Sequence, residues 1–107
     1  MCKRRLPNGV YRLKLKWTKR ALRQLIQVQD YIAKDNPAAA QAVAERIADA
    51  AHLLPTQPWI GRPGRIEGTR EWVVKQTPYL LVYAIESDLV QIVSVIHSKQ
   101  RWPDVLS

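Results

Sequence analysis

The chain has 107 residues, 47% of them hydrophobic, enough for one domain with a core and too apolar for a disordered chain. The formal net charge is +8, and Cys2, the one cysteine, cannot close an internal disulfide, so folding does not call for an oxidising compartment. No apolar run approaches the roughly 20 residues that cross a bilayer, and the basic start from Met1 to Gly9 lacks the apolar stretch of a secretory signal. A cytoplasmic protein without membrane contact is expected.

The charge is unevenly spread. Residues 1–20 hold Lys3, Arg4, Arg5, Arg12, Lys14, Lys16, Lys19 and Arg20 and no acid, which accounts for the whole of the +8. Bases and acids nearly cancel over the rest of the chain. A field gathered in one segment suits an acidic partner, nucleic acid or protein, although it would equally describe a solvated basic arm.

In chain order, residues 1–10 read as a flexible basic arm. Tyr11 to Trp17 alternates apolar and basic residues, which predicts a strand with Arg12, Lys14 and Lys16 on one face. Thr18 suits a helix N-cap, and Leu22, Leu25, Ile26, Gln29 and Ile32 then recur at helical spacing as one apolar stripe to about Lys34. Asn36-Pro37 restarts a helix, which runs through Ala40, Val43, Ala44, Ile47, Ala51 and Leu54 until Pro55. Its alanines allow close approach of the first helix, so a helical hairpin is expected. His52 reads as a surface residue.

Residues 55–64 are rich in Pro and Gly and read as a loop. Beyond them the period becomes extended: Arg70–Lys75, Tyr79–Ile85 and Leu89–His97 predict three strands joined by short turns, an antiparallel meander. The last two are nearly all apolar, as central strands are. The tail, 98–107, is polar apart from Trp102, Val105 and Leu106. The expected fold is α+β in the order β-α-α-β-β-β, one domain with a helical hairpin on a small twisted, mainly antiparallel sheet.

Several chemistries can be set aside. The glycines form no phosphate-binding loop, His52, His97 and Cys2 are too scattered for a metal site, and no cofactor motif is present. What remains is basic and aromatic: Arg62, Arg65 and Arg70 around the loop entering the meander, Tyr83 late on its strand, and His97 followed by Lys99 and Arg101. If the hairpins brought these to one face, the guanidinium groups would suit phosphates, and RNA cleavage would need a base, an acid and a stabiliser of the phosphorane among them. The competing reading pairs Arg62 to Arg70 with Glu67 and Glu71 and leaves His97 merely ending a strand.

These pieces, from Lys14 to Pro103, resemble the RelE/ParE toxin superfamily. The resemblance is carried by Trp17-Thr18-Lys19-Arg20-Ala21, Tyr31-Ile32-Ala33, Leu54-Pro55 with Pro58, Gly61-Arg62-Pro63-Gly64-Arg65, and Arg70-Glu71-Trp72-Val73-Val74. Tyr79-Leu80-Leu81-Val82-Tyr83, Val93-Ser94-Val95-Ile96-His97 and Gln100-Arg101-Trp102-Pro103 complete it. It implies a toxin of a bacterial type II toxin–antitoxin pair, held inactive by a cognate antitoxin that is partly disordered when free. An acidic antitoxin segment would suit Arg12, Lys14 and Lys16. Trp17, Trp59 and Trp72 read mainly as core, although an exposed one would suit an anchor for the antitoxin.

The superfamily divides by target. RelE-like members cut mRNA on the ribosome; ParE-like members poison DNA gyrase and lack a convincing nuclease set. Arg62, Arg65 and His97 match positions used in cleavage, but no tyrosine follows His97 and the second strand has no dense lysine cluster. The long helical hairpin and the ending from His97 to Pro103 look more like the ParE side, so gyrase inhibition is expected, with Arg70, Tyr83, Lys99, Arg101 and Trp102 as target contacts. Ribosome-dependent mRNA cleavage is the alternative, and a non-catalytic basic nucleic-acid-binding module a second.

Overall fold

Thr18 opens the first helix: its hydroxyl oxygen accepts from the Ala21 N–H at 3.1 Å, so Lys19–Ala33 (α1) begins with a satisfied donor. Asn36 does the same for Pro37–Leu53 (α2), where Pro37 occupies the first turn and needs no partner. The computed structural model of the chain describes residues 4–5 and 11–99, with side chains from Leu13 onward. Most of the expected arm and tail, including Arg101 and Trp102, lie outside the described residues, as does the side chain of Arg12.

Arg4–Arg5 (β1) pairs antiparallel with Tyr11–Arg12 (β2). Lys14–Trp17 (β3), Arg62–Pro63 (β4), Arg70–Val73 (β5), Tyr79–Glu86 (β6) and Leu89–His97 (β7) form a five-stranded sheet in the order β3-β7-β6-β5-β4. Every pair in it is antiparallel except β3 with β7. The helical hairpin covers one face, as the α+β pattern anticipated, and the two apolar strands are central.

Three elements differ from expectation. The first strand is not continuous, because Leu13 turns its N–H to the Pro55 carbonyl at 2.9 Å and divides β2 from β3. The loop after α2 contains β4, where Pro63 is tolerated because it sits at the sheet's edge and owes no outward hydrogen bond. The stripe on α1 is also rotated. Ala21, Leu25, Val28 and Ile32 pack into the core, whereas Leu22 and Ile26 are 46% and 56% exposed. Alanine at position 21 carries little weight in a periodicity count, yet it is the α1 residue that fits flat on the sheet.

The core lies between the hairpin and the sheet: Ala21, Ile47, Ala51, Leu54, Leu81, Tyr83, Val90 and Ile92 are its closed centre. Val43 and the half-buried Trp17 and Trp72 pack around them. On the other face Leu80, Val82, Ile96 and Val93 form a smaller separate cluster. One irregularity joins sheet to helix. Tyr83 pairs with Ile92 and Val82 with Ser94, so Val93 is an extra residue in β7. The Thr18 hydroxyl donates to the Val93 carbonyl at 3.1 Å, and the Gln24 carboxamide oxygen accepts from the Val95 N–H at 2.9 Å and the Ser94 hydroxyl at 2.7 Å. Backbone groups at the bulge thus find partners on α1.

Candidate functional site

Directly paired residues on neighbouring strands share a face of the sheet, which decides where each candidate can act. Arg62 lies opposite Glu71, and Glu71 opposite Val82, so all three belong to the face turned away from the helices. Glu71 is buried, and its carboxylate is fully used. One oxygen accepts from Nε and a terminal nitrogen of Arg62 at 3.2 and 3.0 Å; the other accepts from the Arg65 backbone N–H at 2.8 Å. Arg62 keeps 58% of its side chain exposed while Glu71 shows 1%. For Arg62 this matches the reading in which the arginines pair with acids, whereas Arg65 meets Glu71 through its backbone N–H.

His97 is elsewhere. It pairs with Tyr79, which packs in the helix-facing core, so His97 lies on the opposite face from Arg62. Their rings meet edge to face with centroids 5.3 Å apart, and the His97 Nδ1 accepts from the Lys99 N–H at 3.1 Å. With Gln24, Gln27, Val28, Tyr31 and Val95 they line a groove of about 490 Å³ between α1 and the ends of the central strands. Burial, reinforced by the nearby Tyr31 phenol, holds the Tyr79 phenol above its ordinary pKa. In strand coordinates, Arg62 and His97 are separated by three strand spacings, ~14 Å, and about 10 Å along the strand. Arg62 and His97 are therefore not brought together.

Two expected target contacts are also redirected. Tyr83 is 0% exposed; its hydroxyl donates to the Pro58 carbonyl at 2.8 Å and accepts from the Gly61 N–H at 3.0 Å. Gly61 lies so close that a Cβ there would collide with the Tyr83 hydroxyl and the Glu71 carbonyl. Arg70 faces the same way, donating to the carbonyls of Trp59 and Gly61 at 3.2 and 2.5 Å. Both therefore tie down the loop from Pro58 to Gly61, and Tyr83, fully buried, offers no surface to a partner. Trp59, expected mainly in the core, is 69% exposed, with the Arg70 guanidinium carbon 5.3 Å from its ring centre. Lys99 is exposed just beyond β7.

Lys14 and Lys16 are exposed on β3, the outermost strand on that side. Lys14 Nζ lies 4.0 Å from Asp88. Among the described residues, no His, Cys, Asp and Glu group could hold a metal ion, and no helix is long and apolar enough to cross a membrane. Sequence reasoning named Glu71 as a partner for the arginines in its competing reading, and missed that the same carboxylate also accepts from the Arg65 backbone N–H.

A helical hairpin laid on one face of a five-stranded, largely antiparallel sheet, with arginines and lysines along the sheet edges, is the architecture of small toxins of type II toxin–antitoxin systems. The chain belongs to the ParE toxin family of such systems: the profile described as "ParE toxin of type II toxin-antitoxin system, parDE" matches residues 15–102. It is 47% identical over 95 residues to the putative toxin Y4kP of Sinorhizobium fredii, covering 89% of this chain and 98% of that one. It is 38% identical over 82 residues to toxin RelE2 of Caulobacter vibrioides, covering 77% and 91%. Among solved structures, the chromosomal ParDE system of P. aeruginosa superposes with a TM-score of 0.75 at 22% identity, over 79% of this chain and 95% of that one. The Mycobacterium tuberculosis toxin–antitoxin complex RelBE2 gives 0.55 at 26%, over 80% and 91%.

Proposed function

We propose that this toxin arrests growth by poisoning DNA gyrase, and that a cognate antitoxin, acidic and partly disordered when free, neutralises it in the cytoplasm. The observation that carries the choice of target is the placement of His97 on the opposite face of the sheet from Arg62. Cleaving RNA needs a base, an acid and a charge stabiliser within hydrogen-bond reach of one scissile phosphate. The described residues offer a guanidinium on one face, bound to Glu71, and an imidazole on the other. Lys99, with Arg101 and Trp102, is the candidate contact with the target. Lys14 and Lys16, with Arg12, are the candidate contact with the antitoxin.

The test is a supercoiling reaction with purified toxin, gyrase, plasmid and ATP that also scores trapped cleaved DNA. Cleavage complexes that accumulate and are relieved by the antitoxin establish the assignment. Unaffected gyrase, from a preparation that still stops growth, moves it to cleavage of ribosome-bound mRNA. No growth defect, with nucleic-acid affinity falling steeply with salt, would instead fit a binding module.

A further inference from the structure

The groove between α1 and the ends of the central strands collects polar groups that the fold itself does not use. Its volume, about 490 Å³, is within the usual range for small-molecule sites, and Val28 and Val95 give it an apolar lining. Gln24 is held in place there. Its carboxamide oxygen is taken by the Val95 N–H and the Ser94 hydroxyl, so the NH₂ is the end left to donate, and none of the described residues accepts from it. Tyr79 is only 8% exposed, yet its hydroxyl has no hydrogen-bond partner among the described residues, where a buried phenol ordinarily finds one. Burial holds that phenol above its ordinary pKa, so at neutral pH it keeps a proton to donate. Tyr31, on the exposed flank of α1, is close enough to Tyr79 for the two phenols to influence each other, and its ring is a side wall of the groove.

We infer that this groove binds a purine mononucleotide, its base lying against Tyr31 and its N7 edge turned to Gln24 and Tyr79. An NH₂ group can only donate, and purine N7 can only accept, so Gln24 selects for that atom. The Tyr79 hydroxyl then donates to guanine O6 or accepts from the adenine amino group, and both purines fit. A pyrimidine presents no ring-nitrogen acceptor on the same edge. Stacking on the Tyr31 ring is open to any base and adds affinity without choosing among them. Lys99, exposed two residues beyond His97, sets an ammonium just past the strand end that lines the groove, suited to the phosphate. This site concerns the toxin alone and depends on neither the gyrase nor the antitoxin assignment.

The experiment titrates GMP into the full-length toxin and follows the ring-proton NMR signals of Tyr31, Tyr79 and His97. GMP and AMP shift all three and saturate, whereas CMP and UMP bind about tenfold more weakly or less. 7-Deaza-GMP, which lacks the N7 acceptor, also loses about tenfold. Tyr79→Phe keeps the ring and the melting temperature, because the hydroxyl it removes bonds to none of the described residues, and it costs about tenfold in GMP affinity. Tyr31→Ala, at an exposed position, costs about tenfold through the lost stack. GMP that leaves the three rings unmoved overturns the inference. So does a Tyr79→Phe protein, as stable as the parent, that binds GMP equally well. A guanine oligonucleotide that shifts these rings where GMP does not would overturn the mononucleotide assignment.

Discussion

Tyr83 and Glu71 each act as a buried hub for a segment that would otherwise be loose. The Tyr83 hydroxyl holds both ends of the turn from Pro58 to Gly61, and the phenol ring is fully buried beneath it. Tyr83→Phe keeps the ring and leaves the Gly61 N–H and Pro58 carbonyl without that partner. A loss of about 1–2 kcal/mol is expected in urea denaturation, together with faster exchange of the Gly61 amide. Glu71→Gln is the sharper test of the other hub. Its carboxylate accepts from Arg62 and from the Arg65 N–H at once; a carboxamide must turn its NH₂ toward one of those donors. The expected cost is about 1–3 kcal/mol, tempered because Arg62 can swing its half-exposed head into water. An unchanged denaturation midpoint would show that these hydrogen bonds do not stabilise the fold.

At the scale of elements, the contact between α1 and β7 is the joint on which the sheet's irregularity depends. Val93 is extra in its strand, and Thr18 and Gln24 supply the missing partners from the helix. Gln24→Ala removes the acceptor for the Val95 N–H and the Ser94 hydroxyl in a nearly closed environment, so a loss of about 1–3 kcal/mol is expected. Exchange at the Val95 amide should rise with it, and a stable variant with a protected Val95 would contradict this account. The element order, both N-caps and the central position of the last two strands were legible because they follow from local signals: Thr18, Asn36-Pro37, and the alternation or continuity of apolar residues. What was not legible depends on packing between distant segments. Gln24 reads as an ordinary polar residue on a helix face, and its role needs a bulge some 70 positions away. Leu22 and Ile26 count as core in any periodicity, yet Ala21 is the residue that touches the sheet. Arg62, Arg65 and His97 were grouped because they match positions that the resembled family uses in cleavage; pairing register, which no local pattern reveals, puts His97 on the other face from Arg62.

For the molecule as a whole, the two faces of the sheet carry different duties. The open face holds Arg62 and the Arg65 amide against Glu71; the helix-side face presents His97 beside Tyr79 and α1. A toxin that cuts RNA with His97 as its acid or base must lose two or more orders of magnitude in cleavage when the imidazole is removed. One that acts by binding gyrase has no need of that proton transfer. His97 is only partly buried and meets Tyr79 edge to face, so His97→Ala should leave a folded protein at a cost of about 0.5–1.5 kcal/mol from the lost aromatic pair. The expected outcome is growth arrest at the same inducer concentration as the parent toxin, with unchanged trapping of cleaved DNA. Arg62→Ala cannot serve as the same test, because it leaves the Glu71 carboxylate buried without its cation and lowers stability for reasons unrelated to chemistry. A His97→Ala protein that unfolds at the parent's temperature but no longer stops growth would overturn the gyrase assignment and return His97 to catalysis.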